Sequence, residues 1–173
     1  GKVKLDKIPA LKPAFKKDGG TITAASSSSI NDGAAALVMM TESTAKKLGA
    51  KPIARLVGHA THAQQPEWFS TAPVGATQKL FAKTGWGVKD VDLWEVNEAF
   101  AVVPMALMKE LGVSHDIVNV HGGACALGHP IGASGARIMV TLIHALQSRG
   151  KKRGVATLCI GGGEGTAVAI ELV

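Results

Sequence analysis

Residues 91–112 read Val91-Asp92-Leu93-Trp94-Glu95-Val96-Asn97-Glu98-Ala99-Phe100-Ala101-Val102-Val103-Pro104-Met105-Ala106-Leu107-Met108-Lys109-Glu110-Leu111-Gly112. The apolar run from Val91 to Val96 is too short for a helix and predicts a buried strand. From Ala99 to Leu111 the apolar spacing becomes helical, and Gly112 ends it. Pro104 falls near the first turn, where a missing N–H does least harm. A buried strand that feeds a helix after a few residues is half of a βαβ unit.

The same grammar extends in both directions. Val74 to Thr84 predicts a helix ended by Gly85, and Ile117 to Val120 a short strand. Ser134 to Ser148 predicts a helix with an apolar face at Ile138, Leu142, Ala145 and Leu146. Val155 to Ile160 and Thr166 to Leu172 predict two strands joined by glycines, an antiparallel hairpin. Together they give an α/β fold: a mixed sheet with helices on both faces, closed by that hairpin.

Upstream the pattern is less regular. Residues 1–20 are basic, carry Pro9 and Pro13, and read as an irregular arm. The run Ser26 to Ser29 resembles a linker, but Asn31-Asp32-Gly33 is a turn or cap leading straight into apolar Ala34 to Met40. Glu42 to Leu48 predicts a helix stopped at Gly49, and Ile53 to Gly58 a strand opening after Pro52. Pro52 divides a coherent later domain from what reads as the end of another unit. Ala34 to Met40 is expected to present an unpaired strand edge, covered by another chain or by self-association.

Composition narrows the function. The 173 residues are 46% apolar and 18% charged, the balance of a folded globular chain. Aromatics are scarce and Tyr is absent, which argues against stacking on single-stranded nucleic acid. The net charge of +6 suits an anionic ligand such as a polyphosphorylated cofactor. No apolar run has membrane-spanning length. Cys125 and Cys159 alone make neither a disulfide framework nor a metal-ligand spacing, so a reducing, cytoplasmic setting without a bound metal is expected.

Three motifs carry chemistry: Asn97-Glu98-Ala99-Phe100, the loop Gly122 to Arg137 around His129, and Cys159 before Gly161-Gly162-Gly163. An amide, an imidazole and a thiol beside glycine-permitted backbone suit a carbonyl that becomes an oxyanion while a proton moves. The loop has neither the phosphate-cradling Gly-Lys-Ser/Thr nor the dinucleotide spacing. Asn97 serves either as a helix cap or as an oxyanion anchor that does not titrate. Glu98 reads as a group holding a neighbour by hydrogen bonds. Backbone N–H groups beside Cys159 are expected to lower its thiol pKa toward neutral; Cys125 reads as packing. His59, His62, His115, His121 and His144 show no ligand spacing and read as structural. No further cysteine is placed to carry an acyl group, so the site reads as half of one.

Those motifs, in this order and spacing, resemble the carboxy-terminal signatures of the thiolases, the acetyl-CoA acetyltransferases in particular, and Ser28 to Ala36 resembles the family's pantetheine loop. The resemblance covers essentially all of the chain but only about the second half of a thiolase. It implies reversible Claisen condensation and thiolysis of acyl-CoA, with coenzyme A thioester as substrate and no separate cofactor. It implies His129 as base toward a cysteine of the missing amino-terminal half, Cys159 as second acid/base, Asn97 as holder of an oxyanion-hole water, and Gly161 N–H in the other hole. By the same resemblance Ser28 and Phe100 meet the pantetheine, Phe69 lines the acyl pocket, and Leu11 and Phe15 lie near the adenine. It divides the chain into 1–30, the end of a CoA-binding loop domain; 31–53, the last elements of the amino-terminal half; and 54–173, the carboxy-terminal domain. It also implies a homo-oligomer, with no nucleic-acid or membrane partner. The alternative is a thiolase-like CoA-binding or lipid-transfer module without chemistry.

Overall fold

The computed structural model describes residues 4–173. Helix α1 (Glu42–Leu48) starts where the Thr41 hydroxyl accepts the Thr44 N–H at 3.3 Å, and ends at Gly49 with φ +64°. After it come β1 (Ala54–Ala63), α2 (Ala72–Thr84), β2 (Leu93–Val96), α3 (Val102–Leu111), the single turn α4 (Ala124–Leu127), α5 (Ser134–Ser148), β3 (Arg153–Ile160) and β4 (Glu164–Leu172). The strands form one sheet in the order β1-β4-β3-β2, with β2 parallel to β3 and the other pairs antiparallel.

The pleat sorts the core into two layers. Trp94 and Val96 of β2 join Val155 and Cys159 of β3 against Ala76 and Leu80 of α2 and Val103 and Leu107 of α3. Phe81 meets Trp94 edge to face at 5.9 Å. The alternate residues Leu93, Ala156 and Ile170 face Ile138, Leu142 and Leu146 of α5. Helices therefore cover both faces, as the alternation of strands and helices predicts.

Two expected strands differ. Ala34 to Met40 enters no ladder among the described residues, and Val38 is 90% exposed. None of β1 to β4 pairs with it. Ile117 to Val120 is reduced to a single parallel bridge between Trp94 and Val118. The cause is Asn119, which turns to φ +48° and cannot continue an extended chain. Its side-chain amide replaces the lost ladder: Oδ1 accepts the Val96 N–H and Nδ2 donates to the Val96 carbonyl, both at 2.8 Å. β1 runs longer than its sequence suggests, to Ala63, while α3 begins only at Val102.

The parallel pair of strands sets where two of the three motifs emerge. Val96 is level with Thr157, and the Asn97 N–H donates to the Thr157 carbonyl at 3.0 Å. Asn97 and Cys159 thus leave the sheet at the same end, the carboxyl ends of parallel strands, where α/β folds place ligands.

Candidate active site

Asn97-Glu98 leaves β2 as irregular backbone with Asn97 buried, and it is Ala101, not Asn97, that sits at the cap of α3. Glu98 holds two neighbours: Oε1 accepts Asn119 Nδ2 at 2.8 Å and Oε2 accepts the Cys125 N–H at 3.0 Å. Gly123 makes this possible, since a Cβ there would lie 2.2 Å from the Glu98 carboxyl carbon. Glu98 therefore anchors the start of the loop that carries His129.

That loop is also stitched to the amino-terminal segment. The Ser28 N–H and hydroxyl both donate to the Ala99 carbonyl, at 3.1 and 3.0 Å, and the Ala101 N–H donates to the Ser26 carbonyl. The His129 N–H donates to the Ser29 carbonyl at 2.8 Å. One segment, residues 26–30, thus spans from Phe100 to His129.

His129 has a proton whose place can be deduced. The Ser134 hydroxyl donates to the Pro130 carbonyl at 3.0 Å, which leaves its oxygen as acceptor for His129 Nδ1 at 2.6 Å. Nδ1 therefore carries the hydrogen, and Nε2 presents a lone pair toward Asn97 Nδ2 at 3.4 Å. Burial, and secondarily the Arg137 guanidinium, hold the imidazole pKa below its ordinary value. At neutral pH the ring is an uncharged base whose Nε2 carries the lone pair. Asn97 Oδ1 is buried and has no hydrogen-bond partner among the described residues. Such an atom suits an ordered water.

Cys159 is a free, buried thiol at the end of β3. Burial pushes it up to about 11, so the expected lowering does not occur here; its own backbone hydrogen bond is the weaker influence. The glycine N–H groups do not outweigh desolvation of the sulfur. We therefore expect iodoacetamide to label Cys159 of this chain roughly a hundredfold more slowly at pH 7 than an unfolded peptide thiol, the rate climbing toward pH 11. Peptide mapping by mass spectrometry reads this, and labelling at the free-peptide rate contradicts it. Gly161 is exposed at the start of the following turn.

The residues expected at the coenzyme divide unevenly. Phe100 meets Phe15 at 5.5 Å and Phe69 at 6.2 Å, both edge to face, which makes a three-ring wall beside Ser28. Leu11 follows the 3-10 turn Leu5–Ala10 as its C-cap and is 37% exposed. Sequence reading missed Ser134, Asn119 and Arg137 as supports of the site. Only Ser134 left a local signal, five residues after His129 at the start of a helix.

The geometry has clear counterparts. The thiolase carboxy-terminal domain matches residues 50–172, and the thiolase amino-terminal domain matches residues 1–43. An acetyl-CoA acetyltransferase of Chromobacterium violaceum is 55% identical over 96% of this chain, which spans 42% of that protein. The crystal structure of the Bacillus anthracis acetyl-CoA acetyltransferase superposes with a TM-score of 0.95 at 46% identity, covering 100% of this chain and 44% of that one. The Acat5 thiolase of Ascaris suum, solved with coenzyme A, gives 0.90 at 43% identity, covering 99% of this chain and 45% of that one. With the carboxy-terminal family domain matched over most of this chain and the Asn97, His129 and Cys159 segments gathered at one end of the sheet, the chain belongs to the thiolase family.

Proposed function

We propose that residues 1–173 are the carboxy-terminal part of an acetyl-CoA acetyltransferase that catalyses reversible Claisen condensation and thiolysis of acyl-CoA, its acyl-accepting cysteine supplied by an amino-terminal thiolase half. One observation carries the reading: a His129 imidazole with its proton fixed on Nδ1 by Ser134 and its basic Nε2 turned to Asn97 Nδ2, beside an unpartnered Asn97 Oδ1.

In thiolysis, His129 Nε2 takes the proton of that cysteine as its sulfur adds to the 3-oxo carbonyl. The Gly161 N–H donates to the oxyanion developing on that carbonyl. The carbon–carbon bond then breaks, and Cys159 gives its proton to the α-carbon of the departing acetyl-CoA. A thiol pushed up to about 11 is in the right state for that donation. The enolate oxygen meanwhile accepts from the protonated His129 Nε2 and from a water held by Asn97 Oδ1. Coenzyme A finally takes the acyl group from the cysteine; condensation reverses each step.

Ser28 and Phe100 border the pantetheine in this reading, Phe69 the acyl group, and Leu11 and Phe15 the adenine. Residues 1–30 close a CoA-binding loop domain, 31–53 complete the amino-terminal half, and 54–173 form the carboxy-terminal domain. The exposed Val38 and Met39 support burial against that half or within a homo-oligomer. The two free thiols support a cytoplasmic location.

The test is acetoacetyl-CoA thiolysis by this chain alone and by the polypeptide carrying it behind an amino-terminal thiolase half. The chain alone should be silent and the longer polypeptide active. Coenzyme A binding without turnover in the longer polypeptide defeats the reading and favours a binding module.

A further inference from the structure

Gln64, one residue past β1, is held through its backbone N–H and through both polar atoms of its side chain. Its backbone N–H donates to the Gly163 carbonyl at 3.0 Å. Its amide nitrogen donates to the Trp68 carbonyl and to Thr71 Oγ1, at 2.5 and 2.7 Å. The Thr71 hydroxyl itself donates to the Trp68 carbonyl at 2.9 Å, so its oxygen is the acceptor for Gln64. With both amide hydrogens committed, Oε1 must face His62 Nε2 at 3.1 Å and accept its N–H. The arrangement admits one amide orientation and one His62 tautomer.

Two glycines leave room for it. Gly163 has φ +102°, and a Cβ there would sit 2.3 Å from the Gln64 carbonyl oxygen. A Cβ at Gly75 would fall 2.6 Å from the His62 ring.

The ends of this network reach both sides of the site. One end is the 3-10 turn Pro66–Thr71, which carries Phe69 and its contact with Phe100. The other is the glycine turn that comes after Cys159. A short 3-10 turn has few bonds of its own, so its placement depends on what clamps it.

We propose that Gln64 is a positioning residue that fixes the spacing between Phe69 and the Gly161–Gly163 turn and so limits the acyl length accepted beside Cys159. This rests on the thiolase reading above. A hydrophobic wall that is free to shift by a fraction of a side chain loses discrimination between chains differing by two methylenes.

The experiment uses two shape-preserving variants, Gln64→Met and Thr71→Val, in the polypeptide that includes an amino-terminal half. The measured quantity is kcat/KM for acetoacetyl-CoA divided by that for 3-oxohexanoyl-CoA. Gln64→Met should shift this ratio about fivefold toward the longer substrate, chiefly through its KM, and Thr71→Val about twofold in the same direction. Partial unfolding lowers both values together and leaves the ratio alone. An active wild type with unmoved ratios overturns the inference by itself; an inactive wild type overturns the thiolase reading beneath it. Hydrogen exchange on the 173-residue chain tests the clamp separately. Gln64→Met should speed exchange about tenfold in residues 66–71 and 161–164 while α5 stays protected, and unchanged exchange there overturns the clamp.

Discussion

His129→Ala is expected to lower thiolysis about a thousandfold, through kcat more than KM, in the polypeptide carrying both halves. The imidazole is the base for the cysteine proton, and a positioned base is commonly worth about a hundred- to ten-thousandfold. The half-buried ring, with its pKa held low, is neutral and ready at pH 7. Ser134→Ala should be milder, about tenfold, because the ring keeps its place but loses the oxygen that fixes the proton on Nδ1. Steady-state kinetics measures both. If His129→Ala retains more than about a tenth of wild-type turnover, the imidazole is not the base.

Arg137→Ala is expected to cost about 3 kcal/mol of stability at pH 8. Arg137, in the first turn of α5, holds Glu95 of β2 at 3.3 Å, and the Glu95 side chain is 2% exposed. Burial pushes Glu95 up to about 7 even with the guanidinium present, and Glu98 adds to the rise. The sign comes from linkage. A carboxyl whose folded pKa exceeds its unfolded value binds more protons when folded, so its contribution is full below about 4.5 and lost as pH rises through about 7. Without Arg137, the ionised form at pH 8 is a buried charge with no partner. At pH 5 the protonated form needs none, so the loss should shrink to about 1 kcal/mol. Denaturant midpoints at the two pH values decide it, and equal losses contradict the account. Since Arg137 also depresses the His129 pKa, the acid limb of the activity profile should move to higher pH in this variant.

Local rules made much of the fold legible. Ser134 to Ser148 is helical over the residues its apolar period marks, and Gly49, Gly85 and Gly112 each take the left-handed C-cap. The glycine-joined hairpin forms as β3 and β4. These features depend on neighbours within a turn or a pleat. Asn119 defied that grammar, because a long-range bond to Val96 rewarded the left-handed backbone its local pattern did not suggest. Ala34 to Met40 has a strand's pattern, yet a strand needs a neighbour, and none lies beside it among the described residues.

The order of residues alone determined the main helices, the glycines at which α1, α2 and α3 stop, the β3–β4 hairpin, and that an amide, an imidazole and a thiol lie at or near strand ends. Only the folded chain decided that Ser134 fixes the His129 proton, that Glu98 anchors the loop, and that Gln64 ties Phe69 to the glycine turn. It also decided that the Cys159 thiol is raised rather than lowered. The physical reason is range: capping and periodicity act over a few residues, whereas hydrogen bonds across the fold and the loss of water around a buried group depend on which distant segments meet.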